Sequence, residues 1–145
     1  MNDQTTRQLA SNLRNITTRL TKKLRKQSAT GEKLSLTERS TIALLDQYQQ
    51  LMPTELAAME HITTQSMSQV LNHLLELGLI IRTASETDKR KVLISLSPLG
   101  VETLNRVRNE REEWLNKALN QVCTPEEQEL LQQALVLLGK LVDEA

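Results

Sequence analysis

No phenylalanine occurs in this 145-residue chain, and tryptophan and tyrosine occur once each, as Trp114 and Tyr48. Stacking of single-stranded bases on aromatic platforms is therefore disfavoured, and buried surfaces must be mostly aliphatic. The single cysteine, Cys123, excludes an intramolecular disulfide and reads as a buried, inert thiol. It stands at no recognised ligand spacing from the two histidines, His61 and His73, so no structural metal is expected. A turn contact is expected for His61, and a solvated or phosphate-facing role for His73. Apolar runs stay far below the roughly 18 residues of a membrane-spanning helix. The polar start MNDQTTRQ lacks the apolar segment of a signal peptide, so a cytoplasmic protein without a membrane partner is expected. Glycine-rich phosphate loops, nucleophile elbows and catalytic clusters of His, Cys and carboxylates are missing too, which argues against an enzyme and against a cofactor.

What is present describes one folded domain. The length suits a single core, and 39% hydrophobic with 25% charged residues is ordinary for a globular chain. Formal net charge is zero, which alone argues against a nucleic-acid partner, but the charge is unevenly spread. Residues 1–30 carry seven cations and one anion, residues 31–100 six and eight, and residues 101–145 five and nine. The cations Lys22, Lys23, Arg25 and Lys26 at the basic end read as a solvated helix face or as contacts to an acidic partner.

Leu9, Leu13, Ile16, Leu20 and Leu24 recur at helical spacing and predict a first helix with a narrow apolar stripe. Gly31 ends the polar stretch after it. In SLTERSTIALLDQY, Ser35 or Thr37 is a candidate N-cap for a second helix carrying Ile42, Leu45 and Tyr48. In MPTELAAMEHI, Pro53 and Thr54 predict a short helix with a capping residue at its start. A fourth helix begins near Thr63 or Thr64 and runs to about Leu77, where Gly78 supplies the left-handed residue that stops it. Two helices joined by so tight a turn form a helix-turn-helix. At 100° per residue, Met67, Val70, Leu71, Leu74 and Gly78 share one side of this fourth helix. Gln65, Gln69, Asn72 and Glu76 share the other, flanked by Ser66, Ser68 and His73. That face is almost uncharged. It is either a chance composition or a set of side chains that donate and accept hydrogen bonds at base edges.

The pattern then switches to period two. Two β-branched runs, Leu79 to Thr83 and Val92 to Leu96, flank a polar stretch with the consecutive cations Lys89, Arg90 and Lys91. Ser97 as N-cap and Pro98 at the first helical position open a long helix to about Val122, with Leu104, Val107 and Trp114 among its apolar residues. Trp114 reads as dimer core or pocket wall. A last helix follows Thr124 and Pro125, with Glu126 and Glu127 where the helix dipole favours them. The predicted fold is mainly α with a small β-hairpin wing. A polar-faced helix next to a basic wing reads as a winged-helix binder of double-stranded DNA: the helix meets base edges and the wing meets phosphates or the minor groove.

The segments PTELA, LLELGLIIR and TDKRKVLISLSPLG resemble the matching parts of the multiple antibiotic resistance regulator (MarR) family, and the likeness extends over nearly the whole chain. The family's wing carries Asp-x-Arg, here Asp88, Lys89 and Arg90, then a strand ending in Leu-Thr-x-x-Gly, here Leu96 to Gly100 with Ser97 in place of Thr. The resemblance implies a homodimer held by its terminal helices, residues 1–30 and 101–145, around a DNA-binding region over residues 35–100. It also implies a pseudo-palindromic operator, action as a repressor, and a small aromatic or phenolic anion as ligand.

The expected base-reading residues are Thr64, Gln65, Ser66, Ser68, Gln69 and Asn72, and the expected wing contacts are Lys89, Arg90 and Lys91. Asp88 is expected to orient a neighbouring arginine, and Arg82 to make an ion pair at the wing base or a phosphate contact. Thr54 is a candidate for contact with the DNA backbone. The competing reading is a winged-helix module that docks a protein through the same cations, without sequence-specific DNA binding.

Overall fold

A computed structural model describes residues 2–144. In chain order it contains α1 (Asp3–Arg25), α2 (Ala29–Glu32), α3 (Leu36–Tyr48), α4 (Pro53–Glu60), α5 (Thr64–Glu76), β1 (Ile80–Ala84), β2 (Val92–Leu96), α6 (Pro98–Val122) and α7 (Pro125–Glu144). The expected mainly helical fold with a hairpin is what forms. Among the described residues no helix is long and apolar enough to cross a membrane.

Local chemistry sets most boundaries. Ser35, rather than Thr37, caps α3: its Oγ accepts from Glu38 N at 3.1 Å, while Glu38 Oε1 accepts from Ser35 N at 2.8 Å. In α4 the expectation of a cap at Thr54 is wrong. Pro53 occupies the first helical position, so the N-cap is Met52, whose N–H is satisfied by Glu55 Oε1 at 2.8 Å. The turn after α4 is closed by Ile62 N to Ala57 O at 3.1 Å and His61 N to Ala58 O at 3.3 Å, with His61 left-handed at φ 56°. The same pair of bonds ends α5. Leu79 N donates to Leu74 O and Gly78 N to Leu75 O, both at 3.0 Å, with Gly78 at φ 75°.

Because Leu79 spends its N–H on the helix end, β1 starts one residue later than the apolar run suggests. It pairs antiparallel with β2 from Ile80 opposite Leu96 to Ala84 opposite Val92. Leu51 adds an isolated antiparallel bridge to β2 through two bonds with Ile94, at 3.1 and 2.8 Å. The one-turn α2 was not foreseen, because four residues carry no periodicity. It is held by Ser28 Oγ, which accepts from Gly31 N at 3.0 Å, and by Gly31 packing towards Val107 of α6.

The core is aliphatic. Leu45, Leu56, Met67, Leu74 and Ile94 are at most 1% exposed, and the main buried cluster runs from Leu34 to Ile94. By contrast, α1 and α7 contribute no buried residue. Cys123, expected to be buried, is only half-buried, because it stands at the end of α6 where the chain turns extended.

Gly100 has no room for a side chain, since a Cβ there would lie 2.1 Å from Leu79 O. Gly139 meets nothing within 4 Å. In urea denaturation, Gly100→Ala is expected to lose about 1–3 kcal/mol or more to overpacking. Gly139→Ala is expected to gain up to about 1 kcal/mol from helix propensity.

Candidate nucleic-acid interface

Burial of Met67, Leu71 and Leu74 seats α5 on the core and turns its opposite face outward. Thr64, Gln65, Ser66, Ser68, Gln69 and Asn72 are all exposed on it. The helix itself uses two of them. Thr63 Oγ1 accepts from Ser66 N at 3.0 Å and donates to Ser66 Oγ at 3.0 Å, and Ser68 Oγ donates to Thr64 O at 3.0 Å. Among the described residues the amides of Gln65, Gln69 and Asn72 have no intramolecular partner, which leaves their donors and acceptors free for an external one. No acidic residue stands in the first turn, so the positive end of the α5 dipole is uncancelled.

The wing lies beside this face in sequence and is shaped by Asp88. Its Oδ1 accepts from Arg90 N at 3.1 Å and Arg90 Nε at 3.2 Å, and Oδ2 accepts from Arg90 Nη2 at 3.5 Å. The Asp88 carboxylate thus orients the Arg90 guanidinium, whose side chain is 92% exposed. An ion pair this exposed contributes only about 0–1 kcal/mol, so a phosphate can compete for the arginine. Lys91 N donates to Asp88 O at 3.0 Å and Ser85 N to Lys91 O at 2.9 Å, closing the tip. Lys89 and Lys91 are exposed. Arg82, exposed on β1 opposite Ile94, makes no ion pair among the described residues, so of its two expected roles the wing-base pair is not formed. Thr54 is exposed in the first turn of α4.

One contact was missed. His73, read as solvated or phosphate-facing, has Nδ1 against Glu38 Oε2, tying α5 to the N-terminus of α3. Burial pushes the Glu38 carboxyl up, but the Ser35 N–H, the His73 ring and the Ser35 hydroxyl outweigh it, and the carboxyl ends below its ordinary range. The Ser-x-x-Glu spacing signalled the cap at 35–38, but nothing local signals a partner for the second oxygen 35 residues away. Two further polar links position α3: Arg108 Nη2 to Asp46 Oδ2 at 3.1 Å joins it to α6, and Ser40 to Glu60 joins it to α4.

Residues 34–92 match the model of the MarR family. The whole chain is similar to an uncharacterized HTH-type transcriptional regulator of Mycobacterium bovis, 32% identical over 137 residues and covering 94% of each chain. Among solved structures, one from Pseudomonas aeruginosa described as a transcriptional regulator superposes with a TM-score of 0.82, at 29% identity over 99% of each chain. A MarR family protein from Bacillus stearothermophilus superposes with a TM-score of 0.79, at 21% identity over 99% of each chain. A mutant of Staphylococcus aureus MepR bound to an oligodeoxyribonucleotide has the same fold, with a TM-score of 0.71 at 20% identity, over 93% of this chain and 98% of that one.

Since the folded state lowers the Glu38 pKa, its contribution to stability is complete above the ordinary value of 4.5 and is lost as pH falls through the folded-state value. Glu38→Gln is expected to cost about 1–3 kcal/mol at neutral pH. Urea denaturation repeated in acid should show the gap between the two proteins closing below pH 4.5, the ordinary Glu38 value.

Proposed function

From the premise that this chain belongs to the MarR family of winged-helix, DNA-binding transcriptional regulators, we propose that it works in the cytoplasm as a homodimeric repressor of a pseudo-palindromic operator. The observation that carries the reading is the exposed, uncharged amide face of α5 next to the cationic wing. Gln65, Gln69 and Asn72 meet base edges in the major groove, with Thr64, Ser66 and Ser68 at the flanks. Lys89, Arg90 and Lys91 meet phosphates or the minor groove, Asp88 aims Arg90, and Arg82 and Thr54 contact the backbone.

Dimerisation assigns residues 1–30 and 101–145 to the interface and residues 35–100 to DNA. Its support is the apolar surface that one chain leaves uncovered: Leu9 and Ile16 on α1 are 54% and 55% exposed, and Leu130, Leu135 and Val142 on α7 are 66%, 63% and 81%. Two-fold symmetry then sets two half-sites about one helical turn apart. Relief by a small aromatic or phenolic anion is supported by a crevice of about 160 Å³ between α3 and α6, where Ile42, Leu104 and Val107 face Arg108 and Arg111.

Selection from random duplexes is expected to return an inverted repeat, and recovery of no enriched motif sinks the reading in favour of a protein-docking winged helix. Arg90→Ala should weaken all duplexes alike and flatten the plot of log affinity against log salt by roughly 0.9. Gln69→Ala should cost about 1–3 kcal/mol on the selected operator and little on random DNA. Gln65→Ala and Gln69→Ala both leaving operator preference intact would show that α5 is not the reader. For assembly, removal of residues 1–28 is expected to give aggregated or unstable monomeric protein by light scattering. A well-folded dimer from that truncation places the interface elsewhere.

A further inference from the structure

The cations of α1 gather away from the wing. Lys22, Arg25 and Lys26 on the last turns of α1, Glu32 of α2 and Arg39 of α3 line an open cleft of about 430 Å³. Every lining side chain is charged, four of them positive and one negative. None of the four cations, nor the neighbouring Arg111 of α6, takes part in a salt bridge among the described residues. Arg39 Nε donates to Ser35 O at 3.4 Å, but its Nη1 and the Nε of Arg111 are buried without a hydrogen-bond partner. Unpaired buried N–H groups of charged side chains are costly, and here they stand among like charges. Burial first, then the positive charges of Arg25 and Arg111, hold the Arg39 guanidinium below its ordinary pKa, with Glu32 offsetting them in part.

We infer that this cleft binds a small, multiply charged, oxygen-rich anion of the diphosphate class, free or carried by a nucleotide. A single carboxylate leaves most of the positive charge unmatched. An aromatic ring finds no apolar residue here, only the aliphatic stems of charged ones, unlike in the crevice between α3 and α6 with its Ile42, Leu104 and Val107. Guanidinium forks match phosphate oxygens two at a time, and lysines add point charge. At 100° per residue, Lys22, Arg25 and Lys26 lie about half a turn around α1 from the stripe of Leu9, Leu13, Ile16 and Leu20. Pairing of that stripe with a second copy therefore leaves the cleft open. Glu38 meets α5, whereas Arg39 lines the crevice to α6, so the cleft is not on the face that carries Gln65 and Gln69.

The inference does not depend on the DNA reading, and its test is separate. The full chain is titrated calorimetrically, in buffer free of phosphate and sulfate, with inorganic pyrophosphate, adenosine diphosphate and benzoate. Pyrophosphate or the nucleotide is expected to bind at least tenfold more tightly than benzoate. Whichever of the two binds more tightly identifies the source of the diphosphate group. The double variant Lys22→Gln, Lys26→Gln, with an unchanged melting temperature, is expected to lose at least tenfold in that affinity while its operator affinity without added anion stays the same. Arg39→Gln should weaken it likewise. Benzoate binding as tightly as the diphosphates, or diphosphate affinity surviving in the double variant, overturns the inference. Loss of operator affinity in the double variant assigns its lysines to the duplex and overturns it as well.

Discussion

The carbonyls of Gly78 and Leu79 hold this architecture together. Leu79 O accepts from Ser97 N at 3.0 Å, and Gly78 O accepts from the Ser97 hydroxyl at 2.6 Å. The same hydroxyl accepts from Gly100 N at 2.9 Å and so caps α6. Gly100 in turn lies so close to Leu79 O that only a hydrogen fits where a Cβ would be. Three elements therefore meet in one hydrogen-bonded junction: the end of α5, the base of the wing and the start of the longest helix. Their relative directions are not independent, since one cannot tilt without breaking bonds that the others need.

Helix α5 is also fixed at its flank, where His73 meets the buried Glu38 of α3, and α3 is tied to α6 through Asp46 and Arg108. The crevice between α3 and α6 lies within the same frame of links that seats α5. The wing has a second kind of order, because the Asp88 carboxylate holds the Arg90 guanidinium in one orientation.

Much of this was legible in the chain because it is written in local chemistry. Ser35, Thr63 and Ser97 are hydroxyl N-caps, Gly78 is a glycine where φ is positive, and the apolar positions of α5 follow the helical period. The parts that escaped depend on distant partners. Thr54 stands where a cap is expected, but Pro53 takes the first helical position, and α2 needs packing on α6 beside its Ser28 cap. The partnership of His73 with Glu38 crosses 35 residues. The exposure of Cys123 depends on where the chain departs from helix at a junction, which side-chain type does not foretell. Arg25, Arg39 and Arg111 around the α1–α3 cleft are scattered over three helices, and only the run at residues 22–26 stands out in the sequence. Only the fold brings them together.

The scarcity of aromatics gives the molecule an optical simplicity. Trp114, half-buried on α6, is the sole indole, so its emission is a single-site signal from the long helix, 14 residues beyond Gly100. Helix α5 and the wing contain no tryptophan of their own. A shift in emission therefore reports a change at α6 or at whatever surface covers it, and not one confined to α5 or the wing.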